Sequence, residues 1–113
     1  MILATILAIA PLAASAQTTP WGDAGGCART LNREFTTDLV FILWPDRIER
    51  HESTCSIVGI EGDVNTRAVI DTLCNGEGET WTQSYGMTFV GNDTIAIWPV
   101  DAPEFTFELR PCE

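Results

Sequence analysis

Between Thr80 and Val90 the side chains alternate. Trp81, Tyr85, Met87 and Phe89 fall on one side with only Gln83 interrupting, and Thr82, Ser84, Gly86 and Thr88 fall on the other. A period of two is the pattern of a half-buried β-strand, whose successive side chains point to opposite faces. The same rhythm recurs around it. Leu39 to Trp44 is an apolar run too short for a typical helix. Ile48 to Ile60 holds one or two strands, with Cys55, Ile57 and Gly59 on one face. Val64 to Cys74 places Val64, Thr66, Ala68, Ile70, Thr72 and Cys74 on one face, Ile95 and Ile97 alternate, and so do Phe105, Phe107 and Leu109. Turn-forming residues separate these runs at Pro45-Asp46, Glu61-Gly62-Asp63, Asn75 to Gly78, Gly91-Asn92-Asp93 and Pro99 to Pro103. Short strands joined by short turns pair antiparallel with their neighbours. The expected fold is therefore all-β, a small meander closing into an up-and-down barrel, with a β-sandwich as the alternative. Closure is preferred because it removes the sheet edges through which strands aggregate. Gln17 to Gly26 reads as a loose entry segment, and Cys27 to Phe35 as a short helix or an irregular turn.

The first sixteen residues carry no charge. Ile2 to Leu12 is apolar except for Thr5 and Pro11, and Ala14-Ser15-Ala16 forms a small-x-small site. That is the pattern of a signal-peptide helix with its cleavage site, although no Lys or Arg precedes the run. The expected division is a leader at 1–16 and a single domain at 17–113. The run is short for a membrane span, which takes about 20 residues, and no later stretch qualifies. Four cysteines, Cys27, Cys55, Cys74 and Cys112, then read as disulfides of an exported domain. Three pairings are possible. The preferred one joins Cys55 to Cys74, across the arms of one predicted hairpin, and Cys27 to Cys112, the start of the domain to its end. With no Cys-x-x-Cys pair and a single histidine, tetrahedral zinc is disfavoured.

The chain has sixteen acidic residues, six arginines and no lysine, a formal charge of −10. Nucleic-acid binding needs a basic footprint, so it is excluded as an expectation, as is binding to anionic membrane surfaces. Acidity keeps an exported protein soluble and also suits a cationic partner.

Candidate chemistry is sparse. His51 lies in Arg50-His51-Glu52-Ser53-Thr54-Cys55, which contains a base, a carboxylate and hydroxyls. On a strand, though, His51 and Ser53 would stand about 7 Å apart, beyond the hydrogen-bond reach a nucleophile needs. The metalloprotease helix motif lacks its second histidine. Glu77 and Glu79 are paired carboxylates on a Gly-rich turn, where solvation is the simpler account. Glu61, Asp63 and Asn65 alternate as oxygen donors but do not follow the order of an EF-hand loop. Asn92-Asp93-Thr94 is a formal glycosylation acceptor and equally a tight turn. No cofactor is expected. The aromatic residues carry more weight. Trp81, Tyr85, Met87 and Phe89 are either plain core or the wall of an apolar ligand pocket. Trp44 and Trp98, each before a proline, suit a rim contact patch or packing under a turn.

Trp21 and Cys27, Pro45-Asp46-Arg47-Ile48, Glu52 to Ile57, Cys74 to Glu79, Trp81, Gly91 to Thr94 and Leu109-Arg110-Pro111-Cys112 together give the chain its family look. In these residues it resembles a loose group of short exported four-cysteine proteins of Gram-negative bacteria. That resemblance implies a periplasmic location and a small β-barrel, and brings no activity with it. The general architecture is similar to lipocalins and to periplasmic lysozyme inhibitors, but the Gly-x-Trp opening of lipocalins is absent: Thr19-Pro20 precedes Trp21. The expected function is a non-enzymatic periplasmic binding module, a protein-binding inhibitor in its sharpest form, with a cationic periplasmic protein as partner. The alternative is a carrier of a small apolar ligand in a barrel cavity. A cleft joining His51 to a hydroxyl and a carboxylate would favour an enzyme instead.

Overall fold

A computed structural model of the protein describes residues 19–35 and 37–113. The expected leader at 1–16 lies outside the described residues. Eight antiparallel strands form one closed barrel in which each strand pairs with its neighbours in sequence, and the last pairs with the first. They are β1 (Trp21–Gly22), β2 (Phe41–Leu43), β3 (Arg47–Arg50), β4 (Ser53–Asp63), β5 (Arg67–Gly76), β6 (Glu79–Phe89), β7 (Ile95–Pro99) and β8 (Phe107–Pro111). Among the described residues a single short helix, α1 (Ala24–Thr30), follows β1. Among the described residues no helix is long and apolar enough to cross a membrane.

The inward face of β6 is the alternating face of the sequence, and Tyr85 and Met87 on it are buried. Ala68, Ile70, Thr72 and Cys74 of β5 lie opposite, paired with Met87, Tyr85, Gln83 and Trp81. Ile48, Ile97 and Leu109 are fully excluded from solvent, so side chains fill the middle of the barrel. Phe41 is central to this core. It meets Tyr85 edge-on at 5.5 Å and Phe107 at 5.0 Å between ring centroids.

Both disulfides take the preferred pairing, Cys27–Cys112 and Cys55–Cys74. The two are compatible with folding in an oxidising compartment. Cys55 and Cys74 stand directly opposite in the β4–β5 ladder, inside the core. Cys27–Cys112 ties α1 to the chain end beside β8.

Several local readings are corrected. The segment read as a loose entry contains β1, which pairs with both β2 and β8 and closes the barrel. Two residues are too few to show any periodicity. The helix begins three residues before Cys27, because Asp23 caps it: its carboxylate accepts from the Gly26 N–H at 2.7 Å and from the Phe41 N–H at 3.1 Å. Gly26 then lets α1 lie directly on β2. A Cβ there would come within 2.3 Å of the Phe41 carbonyl oxygen. β2 is thus buried on both faces, with Ile42 under the helix, which explains its unbroken apolar run.

The β4–β5 turn falls at Val64 to Thr66, not at Glu61-Gly62-Asp63, which belong to β4. The Asp63 carboxylate accepts from the Asn65 N–H and its carbonyl from the Thr66 N–H, which moves the reversal downstream. Asn75 and Gly76 likewise remain in β5, and Glu77-Gly78 make the turn with positive φ at both residues. A bulge between Ile57 and Gly59 switches the alternation. Ile60, not Gly59, then pairs with inward-facing Ile70, and Val58 is left on the outside. Phe105 lies in the β7–β8 connection, exposed, and not in the last strand.

Candidate functional site

The antiparallel order fixes two barrel ends. The β2–β3, β4–β5 and β6–β7 turns lie at one. The α1–β2, β3–β4, β5–β6 and β7–β8 connections lie at the other. Each end opens into a cavity, and the filled core separates them.

The cavity at the first end has about 230 Å³ of free volume and apolar walls. Met87, Ile70 and Ile95 line its depth, and Trp21, Trp44 and Ile60 its mouth. Phe89 packs beside it, edge-on to Trp21 at 5.7 Å. Trp44 is half-buried under the Arg47 guanidinium, 4.6 Å from the ring centroid, and its indole N–H is buried without an acceptor. An unpaired buried donor costs about 1–3 kcal/mol. Trp44→Phe, which removes that donor and keeps a ring, is therefore expected to leave stability unchanged or raise it by about 1 kcal/mol. Trp44→Ala should lower it by about 2–3 kcal/mol. Urea unfolding of the two variants checks both signs.

The other tryptophan of the expected contact patch lies elsewhere. Trp98 lies flat on the outer wall over Gly86, its cross-strand partner, where any Cβ would come within 2.5 Å of the indole. The Arg67 guanidinium covers it at 5.5 Å from the ring centroid. The structure therefore does not bring Trp44 and Trp98 together.

The second end is polar. Its cavity has about 350 Å³ of free volume, and Trp81, Gln83 and Tyr85 line it from β6. Asp38, Arg50, His51 and Ser53 line it from the preceding segments. The Arg50 guanidinium sits 4.7 Å from the centroids of both Phe41 and Phe107, and its Nε donates to the Val40 carbonyl at 2.8 Å. It caps the core and forms the floor of the cavity, with its charge held against the two rings. The four residues expected to share one pocket are thus divided. Trp81 and Tyr85 face the polar end, whereas Met87 and Phe89 face the apolar one. Gln83, the one polar residue on that alternating face, lies within the polar half, between Trp81 and Tyr85. Its amide donates to the exposed Asp101 carboxylate at 3.3 Å.

His51 thus shares a cavity with a carboxylate and two hydroxyl-bearing residues. Its Nε2 faces Asp38 at 3.6 Å and Glu52 at 3.4 Å, so both acids approach the same ring nitrogen. Among the described residues no hydrogen bond joins the ring to Ser53 or Tyr85. A nucleophilic relay needs one ring nitrogen on the acid and the other on the nucleophile, and the histidine here is not so connected.

Glu52 lies next to Glu77, the turn residue of the neighbouring hairpin. Glu77 titrates above the ordinary glutamate range because its carboxyl shares a hydrogen bond with Glu52 and feels that residue's charge. Its folded pKa is raised, so the pair favours the protonated form and becomes repulsive as pH rises through that range. Glu52→Gln should return Glu77 to the ordinary range, which side-chain carboxyl NMR titration reads directly. Glu79 is exposed at the start of β6. Glu61, Asp63 and Asn65 are exposed around the β4–β5 turn, and no group of three or more metal-ligating side chains gathers among the described residues. Asn92 is exposed in its turn.

No protein-family model, curated protein or solved structure matches this chain.

Proposed function

We propose that this is an exported, non-enzymatic binding module that engages a cationic protein at the polar end of its barrel. One observation carries the reading. The interior is filled with side chains, and large apolar residues are exposed on the segments that meet at the polar end. Phe35 and Leu39 lie on the α1–β2 connection, Trp81 on β6, and Val100 and Phe105 on the β7–β8 connection, each at least 39 % exposed. Exposed apolar groups around a polar centre are the composition of a protein contact surface. Acidic Asp38, Glu52, Glu77 and Asp101 at the same end add steering for a basic partner. Cationic exported proteins such as lysozymes and secreted proteases are the first targets to test, by inhibition assay and by capture at low salt. Capture should weaken in Leu39→Asp and Phe105→Asp. Uniform failure to bind or inhibit them overturns the reading.

A second reading has its own observation. The apolar cavity at the other end suits a small apolar ligand, although at about 230 Å³ it is smaller than most ligand pockets. A recurrent small-molecule adduct in native mass spectra of the exported protein, lost in Ile60→Asp, would establish it.

A further inference from the structure

The polar cavity is more than an acidic patch. Tyr85 lines it, is 4 % exposed, and has no hydrogen-bond partner for its hydroxyl among the described residues. That hydroxyl is open to the cavity, so a group entering it would meet a free donor and acceptor. Trp81 presents an aromatic surface at the mouth, 39 % exposed. Asp38 lines the mouth and Glu52 lies just outside it, both largely exposed and both within 3.6 Å of His51 Nε2. The Gln83 side-chain carbonyl is a further acceptor on the wall, since the hydrogen bonds of that amide run through its nitrogen. The cationic group of the wall, Arg50, is already engaged with Phe41, Phe107 and the Val40 carbonyl.

We infer that this cavity is a recognition pocket for a basic side chain of the protein partner. The side chain's cationic head would lie between Trp81 and the Asp38 and Glu52 carboxylates, and its N–H groups would meet the Tyr85 hydroxyl and the Gln83 carbonyl. Aromatic faces, carboxylates and neutral acceptors are the three kinds of group that bind a guanidinium or ammonium. A volume of about 350 Å³ admits one long side chain and excludes a folded element. The inference deepens the proposed function and rests on it.

The test uses the oxidised, mature chain and two blocked amino acids, N-acetyl-arginine amide and its neutral analogue N-acetyl-citrulline amide. Amide and indole NMR shifts are followed as each is added. Arginine should give saturable shifts at the Trp81 indole N–H, the Gln83 side-chain amide and His51, and citrulline should give none. Affinity should fall about fivefold in the Asp38→Asn/Glu52→Gln double variant, whose exposed substitutions leave the core untouched. An equal response to citrulline, shifts spread over the acidic surface without saturation, or no effect of the double variant would overturn the pocket. The two levels separate cleanly. Saturable arginine binding by a chain that captures no cationic protein upholds the pocket and overturns the partner. Capture of a cationic protein undiminished by Trp81→Ala and the double variant overturns the pocket and upholds the partner.

Discussion

Replacing Cys27 and Cys112 together with alanine should lower the stability of the domain by about 4.5 kcal/mol and its melting temperature by about 20 °C. The first figure follows from chain entropy. The cysteines are separated by 85 positions, and a cross-link of that span removes many conformations from the unfolded chain. The effect on the folded side adds to it. The bridge fastens α1 to the end of the chain, beside the strand pair that closes the barrel. That pair is short: Trp21 and Gly22 supply the whole of β1. Without the bridge, β1 keeps two paired positions on each side, the Cys112 N–H bond to the Pro20 carbonyl, the Asp23 contacts to β2 and the Trp21–Phe89 contact. The Cys55–Cys74 bridge spans 19 positions, and the same reasoning gives it about 3 kcal/mol. Thermal melts of the two double variants, monitored by far-ultraviolet circular dichroism, test the magnitude. A shift below about 5 °C for the Cys27/Cys112 variant would show that the barrel closes independently of its staple.

Phe41→Ala is the second large effect, about 3–5 kcal/mol. Phe41 is fully buried and touches the three parts of the molecule that matter most. Its ring packs on Tyr85, on Phe107 and beneath Arg50. Truncation leaves a cavity at the centre of the barrel and removes one of the two rings that hold the Arg50 guanidinium. Phe41→Leu keeps most of the volume and should cost about 1–2 kcal/mol. Small domains have about 5–15 kcal/mol to lose, so the alanine variant should lie near the edge of folding. Urea denaturation separates the outcomes, since a loss under about 1 kcal/mol would mean that Phe41 is not the centre of the core. The variant also probes the polar end. If Arg50 loses its seat, the His51 and Gln83 resonances should shift even under conditions where the barrel remains folded.

The readability of the chain depended on how far each signal extends. β5, β6 and β7 alternate over enough residues for the core face to be read directly, and the cysteine pairing followed from placing one pair across a hairpin. β1 was not readable, because its identity comes from its partners and not from its own composition. The β4–β5 turn was misplaced because Glu61-Gly62-Asp63 has turn-like residues, while the hydrogen bonds of Asp63 reach forward to Asn65 and Thr66. The bulge at Val58 shows no mark in the sequence, yet it decides that Ile60 and not Gly59 reaches the apolar end. The polar cavity was hidden for another reason. Asp38, the adjacent Arg50 and His51, and Trp81 come from three separate segments, and only the folded barrel gathers them. Gln83 was the one local clue, and by itself an interruption in an apolar face has several meanings.

The pairing of β1 with β8 also has a temporal consequence. Trp21 is made long before Pro111, yet each completes the hydrogen-bond ladder of the other. Until Pro111 has emerged, β1 lacks one of its two neighbours, and the hairpins between them form an open sheet with bare edges. All the other pairings join strands adjacent in sequence, so the final step of folding waits for this one distant pairing. The open sheet is also the state in which β1 or β8 can pair with another chain, so closure within one chain competes with strand exchange between two.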